Sequence, residues 1–196
     1  MSEPESPAQR EIPRNIWALS GTSFFMDVSS EMILNVLPLF LANVLGVGTA
    51  VIGLIEGVAE STSSLLKVFA GGLSDRLGAR KPLAAGGYLL SALARPLFLL
   101  ASSWGVVAGA RWADRIGKGL RTAPRDALLA DSIPYRDRGL AFGLHRAADT
   151  GGAVLGLLIT IAVVAHVQGR TSELGGDTFR TLVLLSLFPA LIAVLS

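Results

Sequence analysis

The sequence predicts an all-α membrane protein built as a bundle of six transmembrane helices. Half of the chain is hydrophobic (51% of 196 residues), only 16% is charged, and the mean hydropathy is +0.56. Soluble domains carry about 25% charged residues. The apolar residues also fall into six runs that approach the ~20 residues a bilayer requires. The net charge is only +2, and the basic residues alternate with apolar runs, so no nucleic-acid partner is expected.

The elements follow in chain order. Residues 1–15 are rich in Pro, Ser and Glu, which predicts a short mobile tail on the cytoplasmic side. The predicted spans then cover about 16–41, 49–73, 83–102, 105–130, 140–165 and 181–196. The sixth span is still apolar at Ser196, so we expect the sequence to be truncated within it.

The fourth span is the most polar of the six. On a helix at about 100° per residue, its seven charged side chains fall within an arc of about 140°. An Arg, Lys or Asp that faces lipid at the membrane centre costs at least ~2.5–3.5 kcal/mol. This face must therefore turn into the bundle or towards a water-filled path. The seven residues are Arg111, Asp114, Arg115, Lys118, Arg121, Arg125 and Asp126.

Other spans carry ionisable residues too. The interpretation for any one of them is either a buried ion pair that fixes helix register or part of a polar path with a proton relay. The predicted substrate and proton path comprises Asp27, Glu31, Glu56, Glu60, Lys67, Arg111, Asp114, Arg115, Lys118, His145, Arg146 and Asp149. Arg121, Arg125 and Asp126 lie towards the cytoplasmic end and are predicted to flank its mouth. The third span adds Arg95, followed by a proline that kinks the helix.

Loop charge predicts the orientation. Arg10, Arg14, Arg76, Arg80, Lys81, Arg136 and Arg138 fall on one side, whereas only Arg170 and Arg180 fall on the other. Because Lys and Arg concentrate in cytoplasmic loops, both termini are predicted to be cytoplasmic. The predicted location is the inner or plasma membrane.

The loop between the second and third spans carries the most specific pattern. It reads GGLSDRLGARK from Gly71 to Lys81 and resembles the signature G-x-L-a-D-R-x-G-R-[RK] of the major facilitator superfamily. One departure is Ala79, where that family usually has arginine. The fourth span adds Arg115-x-x-x-Gly119, which resembles the family's R-x-x-x-G signature. The run RIGKGLRTAPRDALLADS is similar to a bacterial and archaeal branch for which the resemblance implies no substrate.

The resemblance implies a secondary transporter for a small solute, with no metal or cofactor. Family members have two six-helix halves with the substrate site between them. Their arginine at the position of Arg115 is linked to proton coupling. Their aspartate at the position of Asp75 helps to lock the cytoplasmic side through the second half. The implied cytoplasmic gating motif is Gly71, Asp75, Arg76, Gly78 and Arg80. The implied partner is a missing C-terminal half or a second copy, unless the chain no longer works as a carrier.

Two other classes of function remain open. One is a six-helix channel or a non-transporting membrane scaffold. The other is an intramembrane phosphatase-like enzyme, suggested by His145 and Asp149 after Arg138, although the remaining elements of that pattern are missing. The sequence contains no G-x-S-x-G, H-E-x-x-H or Walker-type loop, so nothing indicates direct use of ATP. Near-equal numbers of acids and bases in the spans leave the charge of the substrate open.

Overall fold

The structure, a computed structural model, describes residues 12–167 and 174–196, and this part of the chain is helical throughout apart from short connections. The all-α prediction is thus confirmed. Most of the predicted tail, with Arg10, and the loop residue Arg170 lie outside the described residues. The helices are α1 (Arg14–Leu34), α2 (Leu37–Asn43), α3 (Thr49–Leu77), α4 (Arg80–Leu97), α5 (Trp104–Asp131), α6 (Arg138–Val167) and α7 (Gly176–Leu195), with single 3-10 turns at Phe98–Leu100 and Tyr135–Asp137.

Four of the described helical segments are long and apolar enough to cross a membrane. They are Arg14–Asn43, Arg80–Leu100, Tyr135–Val167 and Gly176–Leu195. α3 and α5 are long enough, at 29 and 28 residues. Their charged and polar residues lower their hydropathy, and these are the helices predicted to turn polar faces into the bundle.

The first predicted span is divided into two helices. α1 ends at Leu34 and α2 begins at Leu37, with Pro38 in the first turn of α2. A proline has no N–H to donate to the carbonyl four residues earlier, so the helix cannot continue unbroken through this point. At the end of α1, the side-chain amide of Asn35 donates to the backbone oxygen of Glu31, at 2.9 Å.

The packing of the helices follows a repeat. α5 packs against α4 and α3, whereas α1 packs against α7 and α6, and α4 also contacts α7. Counted as spans, α1 with α2 is the first, and α3 to α7 are the second to the sixth. The fourth span (α5) contacts the third and the second, and the first span (α1) contacts the sixth and the fifth, so the two sets of contacts are related by a shift of three spans. This is the contact symmetry of two three-helix repeats, an arrangement known in transporter folds. This repeat is not apparent in the amino-acid sequence.

The largest apolar cluster fills the end of the bundle opposite the α3–α4 loop. Phe40 of α2 stacks on Phe179 of α7 with ring centroids 3.9 Å apart, and Phe98 meets Phe179 edge-on. Large apolar side chains of α3 and α6, such as Phe69 and Leu158, are exposed instead. Apolar surface on this scale suits contact with lipid or with another helical bundle. The polar side chains are therefore left to the middle of the bundle and to its other end.

Candidate functional site

Six ionisable side chains from three helices meet in the middle of the bundle. We call this set the central cluster, and its members are Glu56 and Glu60 of α3, Arg95 of α4, and Arg111, Asp114 and Arg115 of α5. All three arginines and Asp114 are buried. Five of these residues were predicted from the sequence to belong to one polar path, and the structure brings all five together.

Asp114 is the centre of the cluster. Its Oδ1 lies 3.6 Å from Nη1 of Arg95. Its Oδ2 lies 3.6 Å from Nη1 of Arg111 and 3.7 Å from Nε of Arg115. A single buried carboxylate thus faces three guanidinium groups.

The two glutamates complete the neutralisation from α3. Nε of Arg111 donates to both carboxylate oxygens of Glu56, at 3.0 and 3.1 Å. Oε1 of Glu60 accepts from Nη2 of Arg111 at 3.3 Å and pairs with Nη1 of Arg115 at 3.1 Å. The Glu56 side chain is 30% exposed and that of Glu60 is 56% exposed. The cluster therefore opens to the outside along its α3 edge.

Arg95 was not among the predicted path residues, although its charge inside a span was noted. Its Nη2 donates to Oγ of Ser30 at 2.9 Å and contacts the sulfur of Met26 at 3.0 Å, both on α1. With the Asp114 pair on its other side, Arg95 ties α1 and α5 together through α4. An arginine next to a proline inside an apolar span was the signal in the sequence that could have identified it.

A second polar group lies nearer the α3–α4 loop, between α1, α5 and α6. Nη1 of Arg125 lies 3.6 Å from Oδ2 of Asp149, and Asp149 Oδ1 lies 3.6 Å from Nε2 of His145. Asp126 Oδ1 accepts from Nη2 of Arg125 at 2.9 Å. Ser20 of α1 contacts Nδ1 of His145 at 3.4 Å. Predicted mouth residues and predicted path residues therefore form one cluster.

Hydroxyl groups connect this second group with α4. Nη1 of Arg125 donates to Oγ of Ser23 at 3.1 Å, and Ser23 Oγ lies 2.6 Å from the hydroxyl of Tyr88. The guanidinium of Arg121, which is buried, stands 4.7 Å from the centre of the Tyr88 ring and donates to Oγ of Ser91 at 2.6 Å. Arg121 is thus engaged with α4 inside the bundle.

The remaining predicted path residues are not part of these contacts. Asp27 is half-buried on α1, within electrostatic reach of Arg121, Lys118 and Arg125. Glu31 accepts a hydrogen bond from Asn35 at 3.0 Å. The last three predicted path residues are exposed bases that form no ion pair within 4 Å among the described residues; they are Lys67, Lys118 and Arg146.

The predicted gating motif covers the last turns of α3, the short α3–α4 loop and the first residue of α4. Gly78 ends α3 in the left-handed conformation with φ +61°, which glycine adopts without steric cost. Nη2 of Arg80 lies 3.1 Å from Oδ1 of Asp75, and Nη1 of Arg80 pairs with Asp131 at the end of α5. Asp131 was not predicted from the sequence. The loop is therefore bound to α5 through one arginine.

The other two motif residues play different parts. Arg76 is exposed. Gly71 allows α3 to lie close to α5, because a Cβ there would stand 3.3 Å from Cβ of Ala123.

Within the described residues, no group of three or more His, Cys, Asp or Glu side chains is placed to hold a metal ion.

Comparison with known families shows to which family this polar bundle belongs. The family model described as Major Facilitator Superfamily matches residues 19–196. The chain belongs to the major facilitator superfamily. The family that the loop signature predicted is therefore confirmed, and with it a multi-pass membrane location.

Similar proteins within the superfamily come from archaea and bacteria. An uncharacterised MFS-type transporter of Methanocaldococcus jannaschii is 40% identical over 159 residues, which cover 81% of this chain and 39% of the relative. The inner membrane transport protein YajR of Escherichia coli K12 is 30% identical over 82% of this chain and 35% of its own length. The multidrug resistance protein MdtH of Photorhabdus laumondii is 34% identical over 59% of this chain and 28% of its own length. This superfamily chain therefore spans less than half the length of the relatives it matches.

Proposed function

We propose that the chain is the N-terminal bundle of a proton-coupled secondary transporter that moves a small solute across the cell membrane by alternating access. The central cluster carries this proposal. Ionisable side chains within a membrane are costly and are retained mainly for substrate paths, ion paths or proton relays. Here three acids and three arginines are collected in one place, and the cluster is accessible from its α3 edge.

The proposed mechanism uses two bundles that rock about a central site. The second bundle is either a C-terminal six-helix half or a second copy of this chain. It would cover the open edge of the cluster, so that Glu56 and Glu60 face the cavity between the bundles. Asp27 and Glu31 on α1 are proposed as further carboxylates of the cavity, with Lys118 on α5 as an exposed base.

The junction of α3 and α4, with Asp75, Gly78 and Arg80, is proposed as the cytoplasmic latch, with both termini on that side. The two ion pairs of Arg80 join the end of α3 and the start of α4 to the end of α5. When the bundle rocks, the end of α3, the start of α4 and the end of α5 would therefore move together. A contact from Asp75 to the second bundle would then be present in only one of the two states, which is what a latch requires.

Replacing Asp75 by asparagine is expected to slow transport by up to about fivefold while lowering the free energy of unfolding by no more than about 1 kcal/mol. Asp75 is largely exposed, and an exposed ion pair contributes at most about 1 kcal/mol to folding. If Asp75 makes its contact in only one transport state, losing about 1 kcal/mol there shifts the ratio of the two states about fivefold. Initial rates of uptake into proteoliposomes, compared with the thermal stability of the purified protein, check both parts.

The matched control is Asp177→Asn, which removes an exposed aspartate at the start of α7, at the opposite end of the bundle. It should leave the transport rate unchanged. If Asp75→Asn transports at the normal rate, the latch assignment is wrong. If both variants lose activity equally, surface charge in general is responsible.

Transport itself is tested with the protein expressed from its complete coding sequence and reconstituted into vesicles that contain a pH-sensitive dye. A panel of anionic, cationic, zwitterionic and neutral solutes is added under an imposed pH gradient. A carrier should accumulate at least one solute against its gradient, together with a proton flux. Downhill flux without accumulation would favour a channel, and no flux with any solute would favour a scaffold.

A further inference from the structure

Glu60 lies as a bound anion between two buried arginines. Its Oε1 is shared between Nη2 of Arg111 at 3.3 Å and Nη1 of Arg115 at 3.1 Å. The arginine side chains are only 4–5% exposed, whereas the Glu60 side chain is 56% exposed. A single oxygen on an exposed side chain thus serves two guanidinium groups that have almost no contact with solvent.

The other two carboxylates of the central cluster are held more firmly. Asp114 is enclosed among three arginines and is 3% exposed. Glu56 engages Arg111 through both of its oxygens. Glu60 is therefore the member that can leave the cluster with the least disturbance.

Departure of Glu60 would leave the arginines with excess positive charge. Three acids balance three arginines in the central cluster, so the cluster without Glu60 carries a net charge of +1. Lys118, one turn beyond Arg115, adds an exposed positive charge that forms no ion pair among the described residues. Arg111 and Arg115 would still face Asp114, so the protein would stay folded, but the excess positive charge would favour another anion in the place of the Glu60 carboxylate.

The arginines can also offer more than one oxygen a partner. Nη1 of Arg111 and Nε of Arg115 face Oδ2 of Asp114 at 3.6 and 3.7 Å, whereas Nη2 of Arg111 and Nη1 of Arg115 share the single Glu60 oxygen. A guanidinium has five N–H donors in a planar fork that matches a carboxylate or a phosphate group. An incoming oxyanion could therefore give each of these two nitrogens an oxygen of its own.

We propose that Glu60 is an exchangeable internal anion and that the transported solute carries a carboxylate or phosphate group that replaces it between Arg111 and Arg115. This inference rests on the proposed function as a transporter and names its substrate class. In the resting state Glu60 supplies one of the three negative charges that balance the three arginines. When the solute enters, its oxyanion takes the place of the Glu60 carboxylate, which turns outwards into the cavity.

The decisive variant is Glu60→Gln, which removes the competing charge at an exposed position and should fold normally. Binding of inorganic phosphate and of succinate is measured by calorimetry, with the protein from its complete coding sequence in lipid nanodiscs. The variant is expected to bind at least one of the two probes about tenfold more tightly than the wild type, as expected for charged hydrogen bonds freed from an internal competitor. If removal of the Glu60 carboxylate strengthens anion binding, Glu60 competes with the anion for the arginines. If Glu60 were simply required for binding, its removal would weaken binding instead.

The matched controls are Glu56→Gln and Glu31→Gln, which remove a like charge from the same region. Their gains in affinity for the probes should be clearly smaller, because neither carboxylate lies between Arg111 and Arg115. Equal gains in all three variants would reduce the effect to general electrostatics and overturn the proposal. It is also overturned if Glu60→Gln gains nothing, or if it instead loses binding of a cationic probe, tetraphenylphosphonium.

Failure of this inference differs from failure of the proposed function. If wild-type vesicles accumulate a solute but Glu60→Gln gains no anion affinity, the transporter stands and the substrate class is wrong. If Glu60→Gln gains affinity but the vesicles accumulate neither phosphate nor succinate nor any solute of the panel, the anion site stands and transport is wrong.

Discussion

Replacing Asp114 by asparagine is expected to lower the free energy of unfolding by about 3–5 kcal/mol, the range measured when one partner of a buried ion pair is removed. Asp114 faces Arg95, Arg111 and Arg115, and among the described residues it is the carboxylate that pairs with Arg95. The variant therefore leaves a buried guanidinium with no counter-charge. Unfolding by titration with SDS in mixed micelles, followed by tryptophan fluorescence, measures the loss.

Asp126→Asn serves as the control. Asp126 pairs with Arg125, but its side chain is 35% exposed and water can replace it, so the loss should stay near or below about 1 kcal/mol. Combining Asp114→Asn with Arg95→Gln should cost less than the sum of the single changes, because the stranded charge is removed as well. A loss for Asp114→Asn no larger than that for Asp126→Asn would show that the three arginines do not depend on Asp114.

The position of the charges on α5 could be predicted from the sequence, but their partners could not. Helical geometry places all seven on one arc, and the structure divides that arc among several neighbours, with Arg125 turned towards α1 and α6. Asp114 and Arg121 turn towards α4, where they meet Arg95 and Ser91, whereas Arg115 turns towards Glu60 of α3. Lys118, between these directions, is exposed. Periodicity fixes the direction of a side chain from its own helix axis and carries no information about which helix lies there.

Partners were missed for a related reason. Arg95 and Asp131 each meet a residue far along the chain, Asp114 and Arg80 respectively. Such pairs depend on how α4 and α5 dock, which is decided by the shapes of their contact faces. The interruption at Asn35 and Val36 is different, since Pro38 was visible in the sequence. There a continuous apolar run suggested one span, and the local effect of the proline prevailed.

Replacing Gly87 by alanine is expected to lower the free energy of unfolding by about 1–3 kcal/mol, the usual cost of overpacking a close contact. Gly87 of α4 faces Gly117 of α5, and a Cβ at Gly87 would stand 2.6 Å from the carbonyl oxygen of Gly117 and 2.7 Å from the backbone nitrogen of Arg121. Both contacts are with backbone, so no side-chain rotation can relieve them. The two helices would have to move apart, and SDS titration again measures the cost.

Gly86→Ala is the matched control, because its Cβ would meet nothing within 4 Å. Alanine stabilises a helix relative to glycine by up to about 1 kcal/mol, so the neighbouring substitutions should have opposite signs. Equal effects would mean that α4 and α5 are not in close contact at Gly87. Separation of these helices would also weaken the Arg95–Asp114 pair, which joins the same two helices. Arg95 lies about two turns from Gly87 on α4, and Asp114 lies about one turn from Gly117 on α5. Gly87→Ala combined with Asp114→Asn should therefore cost less than the sum of the two, since the pair can be lost only once.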